Sequence, residues 1–411
     1  MTSALASPFR SLAIRNFRLF AAGQVVSVTG TWMMITAQDW LVLSLTDGSG
    51  SALGLVTALQ FTPMLLLTLY GGRLADRYDK RVLLLGANLT AGVLALLLAL
   101  LTLTGTVRLG HLCFFALCLG TVNAVETPTR ISFVSELVGP ALLPNASALS
   151  VSYFSVSRVV GPAASGALIA WLGTGPVMLV NAVSYVAPVA GLLLMRPGEL
   201  LRGAPGRGPH RVVDALRHVA SRRDLTLPLA LVAAVGLFGL NFQVTLPLIA
   251  RTVFDADART FGLLTTALAA GSLLAALAGT ARRERPSGRL VAGSALGFGV
   301  LETVAGWAPT LGLAMVALFL TGLASTYFAQ AANHRIQLGS DPAYRGRVMA
   351  LYTLILQGTT PLGSLLVGGL AGVLGARSGL WLGGLATTGA ALLCLATERR
   401  TRTRSDDRPP D

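Results

Sequence analysis

The stretch Val82-Leu83-Leu84-Leu85-Gly86-Ala87-Asn88-Leu89-Thr90-Ala91-Gly92-Val93-Leu94-Ala95-Leu96-Leu97-Leu98-Ala99-Leu100-Leu101-Thr102-Leu103 contains no charged side chain. A run of roughly 18 or more apolar residues is long enough to cross a bilayer as a helix. Immediately before it the chain reads Gly71-Gly72-Arg73-Leu74-Ala75-Asp76-Arg77-Tyr78-Asp79-Lys80-Arg81, a short, densely charged segment. That alternation of long apolar block and short basic loop repeats along the whole chain.

Working outward, apolar blocks fall at about residues 17–45, 52–72, 110–130, 146–171, 174–195, 225–250, 260–281, 288–307, 310–332, 347–374 and 378–396. With 82–104 they predict about twelve spans. Backbone polar groups inside a bilayer must be satisfied within the segment, so the spans are expected to be helices. The period-two pattern of a β-barrel is missing. Composition agrees, because 53% of the 411 residues are hydrophobic and only 12% charged. Soluble domains average about 25% charged, so a water-facing surface is excluded. The first block, Phe17 to Leu45, is too long for the core of a cleavable signal.

The net charge is +14, and Lys80 is the only lysine among 32 basic residues. These charges are scattered over short loops rather than gathered into a stripe, which argues against nucleic acid. Their placement orients the chain instead, since Arg and Lys favour cytoplasmic loops. Arg10, Arg15 and Arg18 lie at the N-terminus; Arg73, Arg77, Lys80 and Arg81 follow span two. Arg282, Arg283, Arg285 and Arg289 follow span eight, and Arg335, Arg345 and Arg347 follow span ten. The long central segment 196–224 and the tail are also Arg-rich. The opposite loops hold only Arg108, Arg251, Arg259 and Arg377. Both termini and the central loop are therefore expected in the cytoplasm, with residues 1–195 and 225–396 as two six-helix bundles, 196–224 as the linker and 397–411 as the tail. Arginine richness with almost no lysine suggests a bacterial source.

The halves echo each other. A shift of 208 carries Gly54, Leu55, Thr57, Gly71, Arg77 and Arg81 onto Gly262, Leu263, Thr265, Gly279, Arg285 and Arg289, and Asp76 onto Glu284. A shift of 199 carries Tyr153, Pro162 and Ser165 onto Tyr352, Pro361 and Ser364. Two halves in the same orientation form a parallel repeat, with a substrate path expected between them near the midplane.

The loop quoted above resembles the signature loop of the major facilitator superfamily, through Gly72, Asp76, Arg77, Lys80 and Arg81. Asp79 stands where that family usually has glycine. The resemblance implies a twelve-helix, two-bundle transporter fold in which Asp76 and Arg77 act in a cytoplasmic gate; a solvated charge cluster that only sets topology is the alternative. A carboxylate at this position can sit on the positive end of a neighbouring helix. Glu126 and Arg130, four apart at the end of span four, share a helix face. Glu126 is expected to join the gate or, alternatively, to carry a proton. Gly161, Pro162 and Gly166 in span five resemble a packing motif of drug/proton antiporters, with Ser157 and Ser165 where glycine is common. Small residues let membrane helices approach closely.

Gln38-Asp39-Trp40-Leu41, Glu126-x-Pro-x-Arg130 and Arg345-Gly346-Arg347-Val348 are similar to the bacterial exporter branch that includes enterobactin and macrolide efflux proteins. A small amphipathic substrate exported against protons through alternating access is what that similarity implies. An uptake symporter on the same fold, or a receptor without transport, remains open. Asp39 and Arg158 are opposite charges within spans, where an ionised group is costly. They are candidates for a coupling pair or a substrate pathway, or for a purely structural pair. Glu302, near the outer end of span nine, is expected to snorkel to water. The five tryptophans, Trp32, Trp40, Trp171, Trp307 and Trp381, are expected to fall mostly near the interfaces.

No enzyme is expected. There is no phosphate-binding Gly-Lys-Ser/Thr loop for an ATP-driven pump. Neither Cys113, Cys118 and Cys394 nor the four histidines show ligand spacing, so no metal and no cofactor are expected. The partners expected are a small-molecule substrate, protons and the lipid bilayer, with the protein as a monomer.

Overall fold

The computed structural model describes residues 9–201, 217, 219–220, 222–279, 284–341 and 344–406. Most of the expected linker 196–224, the end of the tail 397–411, and Arg282 and Arg283 lie outside the described residues. Those described are almost entirely helical: α1 Arg15–Leu45, α2 Gly50–Arg77, α3 Lys80–Leu103, α4 Leu109–Leu172, α5 Thr174–Ser184, α6 Val186–Leu194, α7 Arg223–Ala234, α8 Phe242–Leu248, α9 Ala258–Gly279, α10 Gly288–Gly306, α11 Leu311–Gly339, α12 Arg345–Leu374 and α13 Ser378–Asp406. Ten helical stretches among the described residues are long and apolar enough to cross a bilayer. One of them, α4, is 64 residues long and bends at Gly139, so it supplies two crossings. With α10, which adds another, the described helices make twelve.

Spans four and five were expected as separate helices with a loop between. They run on instead through a helical connection broken only at Gly139, with φ 70 and ψ 175. That backbone geometry is open to glycine, and Pro140 behind it prevents a straight continuation. Span six is divided at Tyr185 into α5 and α6. Pro188 has no N–H to return to the Ser184 carbonyl, which explains the break. Span seven, expected as one helix over 225–250, is interrupted twice. A π-helical turn Val235–Gly239 follows α7, Leu240 and Asn241 leave helical geometry, and a second π turn Ile249–Val253 follows α8.

The chain forms two compact units. One holds Met1–Asp47, Leu59–Gly208 and Asp257–Gly262; the other holds Gly48–Ala58, Pro209–Ala256 and Leu263–Asp411. The first has a core of Phe17, Phe20, Leu84, Phe133, Leu137 and Leu192, with the Phe20 and Phe133 rings edge to face at 5.7 Å. In lipid such a core is held by close packing rather than by expulsion of water. Accordingly Leu66, Val82, Ile131, Val373 and Leu393 are exposed on surfaces suited to acyl chains. Close glycine crossings recur in both units. A Cβ on Gly54 would lie 2.4 Å from the Ser364 carbonyl oxygen in one, and a Cβ on Gly262 would lie 2.5 Å from the Pro162 carbonyl oxygen in the other.

Candidate functional site

The charged loop between α2 and α3 is built on a helix cap. Asp79 has φ −61 and accepts from the backbone N–H of Arg81 at 2.9 Å and of Val82 at 3.2 Å. A negative φ needs no glycine, and an Asp at this place satisfies two of the orphan donors of the helix start. Ser287, displaced by 208 in the sequence, caps α10 in the same way through Leu290 N–H. The two halves thus share a cap as well as a sequence echo.

Within the loop, residues expected to act together divide. Asp76 and Arg77 are exposed. Among the described residues Asp76 has no hydrogen-bond or ion-pair partner, and the Arg77 guanidinium lies 5.7 Å from the Tyr78 ring centre. Lys80 is bound to Glu136 on α4 at 2.5 Å. Arg81 donates to the carbonyl oxygens of Leu192 at 2.7 Å and Leu193 at 3.3 Å, at the end of α6. Arg15 joins it on Leu194 O at 3.1 Å. Cations at a helix C-terminus meet the negative end of its dipole, so Arg81 and Arg15 staple α6 to α3 and α1. Gly72 has open space where a Cβ would be. The tight approach is at Gly71, whose Cβ would lie 2.2 Å from the Ala124 carbonyl oxygen. Glu126 and Arg130 form an ion pair at 3.0 Å, both half-buried.

The second cluster is the crossing of α1 with the second arm of α4. Thr29 donates to Ser157 Oγ at 2.9 Å and Ser165 donates to Met33 O at 2.9 Å. The two serines that replace glycines of the resembling motif therefore bond the helices together. Gly161 lets them meet, since a Cβ there would lie 2.5 Å from Trp32 Cβ. Gly166 lies against α9, where a Cβ would come within 2.7 Å of Ala258 O. Pro162 is buried.

Asp39 and Arg158, expected as an intramembrane pair, do not meet. The Arg158 guanidinium lies 5.7 Å from the Trp32 ring centre, and Trp32 packs edge to face with Phe154 at 6.0 Å. Asp39 is seven residues farther along α1 than Trp32, about 10 Å at 1.5 Å per residue. It is 4% exposed and has no hydrogen-bond or ion-pair partner among the described residues. Depth separates the two charges, and the aromatic ring takes the place the carboxylate was expected to fill. Trp32 thus packs against both Arg158 and Phe154.

In the other unit Glu302 reverses its expectation. It is 1% exposed and is sealed among helices rather than snorkelling. Helix length and sequence position place it near the end of α10, but which face of α10 turns inward is a packing result. At the loop end of the same unit, Asp224 holds Arg222 at 2.8 Å and Arg285 at 2.9 Å. Arg285 is the repeat counterpart of Arg77, which lies over the Tyr78 ring instead. Glu136, Trp32 and Asn16, which exchanges two hydrogen bonds of 3.0 Å with the backbone of Arg196, were not singled out from the sequence. Glu136 alone carried a signal, as a second acid following Glu126 toward the same basic loop. Among the described residues no group of three or more His, Cys, Asp or Glu is placed to hold a metal ion.

Comparison with known proteins agrees with this architecture. The profile of a family described as transmembrane secretion effector matches residues 6–410. The staphyloferrin A transporter of Staphylococcus aureus is 25% identical over 267 residues, covering 63% of this chain and 66% of that protein, just under two thirds of its length. The multidrug efflux pump Tap of Mycolicibacterium fortuitum is 27% identical over 372 residues, 87% of this chain and 89% of that one. Macrolide efflux protein A of Streptococcus pyogenes is 23% identical over 389 residues, 92% and 95% of the two chains. In fold, the chain is similar to the nucleoside transporter NupG, with a TM-score of 0.75 at 11% identity over 93% of this chain and 98% of that one. It is also similar to a bacterial homologue of the human lysosomal transporter Spinster, with a TM-score of 0.69 at 15% identity, covering 93% and 95%. The chain is therefore a multi-pass membrane transport protein rather than an enzyme, and it belongs to the transmembrane secretion effector family of the major facilitator superfamily.

Proposed function

We propose that the protein is a secondary active exporter that moves a small amphipathic molecule outward by alternating access, driven by proton antiport. The relatives named for macrolide efflux, multidrug efflux and staphyloferrin transport support the substrate class and the direction. The observation that carries proton coupling is Asp39, a carboxylate within α1, 4% exposed and without a charged partner among the described residues. An ionised acid at such depth costs at least ~2.5 kcal/mol, so binding and losing a proton is the transition open to it. Arg158 cannot shed its charge. With Trp32 and Phe154 it lines the substrate pathway on the same pair of helices. Residues 1–195 and 225–396 are the two rocking bundles, the 196–224 linker and both termini face the cytoplasm, and Asp76, Arg77, Glu126 and Arg130 act at the cytoplasmic gate. The protein works as a monomer in the bilayer.

The test is transport in proteoliposomes with an imposed pH gradient, using a labelled macrolide, a cationic dye and a polycarboxylate siderophore as probes. Antiport predicts substrate movement opposite to protons. A 100 mV potential supplies ~2.3 kcal/mol per charge, which sets a ceiling of roughly fiftyfold accumulation per proton. Asp39→Asn should abolish gradient-driven movement and keep counterflow exchange. Movement in the same direction as protons would replace export with symport, and no counterflow of any probe would leave a receptor.

A further inference from the structure

Glu302 lies within a set of polar oxygens that the proposed mechanism does not use. Among the described residues its Oε2 makes no hydrogen bond, and neither does Thr387 Oγ1 on α13. Glu302 is 1% and Thr387 0% exposed. Two glycines give the carboxyl its room. A Cβ on Gly239 would lie 3.1 Å from Glu302 Oε2 and 2.9 Å from Thr387 Oγ1, and a Cβ on Gly383 would lie 3.0 Å from Glu302 Oε1. Both carboxyl oxygens therefore face backbone that only glycine brings this close.

Among the described residues no opposite charge compensates the carboxyl. α10 packs against α7 with its π turn, α11 and α13. Among the residues whose side chains are described, the titratable groups on these elements, Asp224 on α7, Tyr327, His334 and Arg335 on α11 and Arg289 on α10 itself, each lie more than ~15 Å along their helices from the level of Glu302. Arg377, ahead of α13, is engaged elsewhere; it donates to Gly306 O at 3.0 Å and lies over the Phe254 ring. An uncompensated buried charge costs several kcal/mol; a protonated carboxyl avoids that cost. Beside it, the chain from Val235 to Asn241 has π-helical and then non-helical geometry, the kind of interruption at which membrane helices bend and ion sites are built.

We propose that Glu302 is a second proton-binding carboxyl, independent of Asp39, loaded while sealed as described and opened to water by bending of span seven at Gly239–Asn241. The inference deepens the antiport reading and rests on it for its role in transport, while proton binding itself is separately measurable. The probe is dicyclohexylcarbodiimide, an apolar reagent. The O–H of a protonated carboxyl adds across its N=C=N group to give an O-acylisourea, which rearranges to a stable N-acylurea with nothing expelled. Wild-type protein in lipid nanodiscs is labelled over a pH series and mapped by mass spectrometry. The expected result is an adduct on Glu302 that falls roughly tenfold per pH unit above its titration point and is unchanged in Asp39→Asn. No adduct at any pH would mean a permanently sealed structural acid, a pH-invariant yield would mean a group that never releases its proton, and loss of the adduct in Asp39→Asn would make the two acids one site. Each of these overturns the proposal. Transport indifferent to a pH gradient would instead remove the antiport reading and leave the titrating adduct standing.

Discussion

Replacing Gly161 by alanine tests the crossing that positions Arg158 and Trp32. The added Cβ would lie 2.5 Å from Trp32 Cβ, 3.1 Å from Thr29 O and 3.4 Å from Met33 N. These are backbone atoms and a Cβ, so no side-chain rotation relieves the contact. Carbon atoms pack at 3.5–4.0 Å, so α1 must retreat by about 1.3 Å. A retreat of that size stretches the 2.9 Å bonds Thr29–Ser157 and Ser165–Met33 O beyond hydrogen-bonding range. Losing two such bonds costs ~1–3 kcal/mol, and a misfit of one methyl in a packed interior ~1–3 kcal/mol. Exchanging glycine for alanine within a helix returns ~1 kcal/mol. The net expectation is a loss of ~1–5 kcal/mol. Gly86 on α3 is the control, because nothing lies within 4 Å of its Cβ position, and Gly86→Ala should gain ~0.5–1 kcal/mol. Equilibrium unfolding of both variants in mixed micelles measures the two signs. A Gly161→Ala protein as stable as wild type, or two variants shifting the same way, would refute the reasoning.

Asp79→Ala should lose ~1 kcal/mol of stability through the missing α3 cap, whereas Asp79→Gly should lose only a few tenths; equal losses in the same unfolding assay would remove the capping account. For the half-buried ion pair, Glu136→Gln should cost ~1–3 kcal/mol, between the values for exposed and fully buried pairs, and a double-mutant cycle with Lys80→Met reads the coupling. Because Asp76 is exposed and unengaged as described, Asp76→Asn should leave unfolding unchanged and slow transport in proteoliposomes; wild-type transport would take Asp76 out of the gate. A tag at residue 205 should be inaccessible from outside intact cells, and labelling there would invert the topology.

Span number, helical class and family were legible in the sequence because a bilayer constrains them through simple quantities. Length and apolarity of a block such as Val82–Leu103 suffice for a crossing, and the Asp76-Arg77 loop with its echo at Glu284-Arg285 sufficed for the superfamily. Interruptions were less legible. Pro188 and Gly139-Pro140 are visible in one dimension, but whether a proline or glycine breaks a helix depends on what neighbours supply to the freed groups, so span seven read as continuous.

Pairing was decided only in three dimensions. From spacing along their helices, Asp39 and Arg158 were two opposite charges in one half, yet helix depth separates them and Trp32 receives the arginine. Lys80 and Arg81, adjacent in one loop, turn to different partners, Glu136 and the end of α6, because neighbouring residues at a helix start point about 100° apart around its axis. Glu302 read as a snorkelling acid because sequence gives distance from a helix end but not which face is covered. Sequence by itself determined that this chain crosses a membrane in the pattern of the major facilitator superfamily, since hydropathy and loop charge are additive along the chain. Which charges are compensated, which glycines admit a neighbour and which acid is sealed depend on side chains distant in sequence occupying the same few cubic ångströms, and those only the packed helices specify.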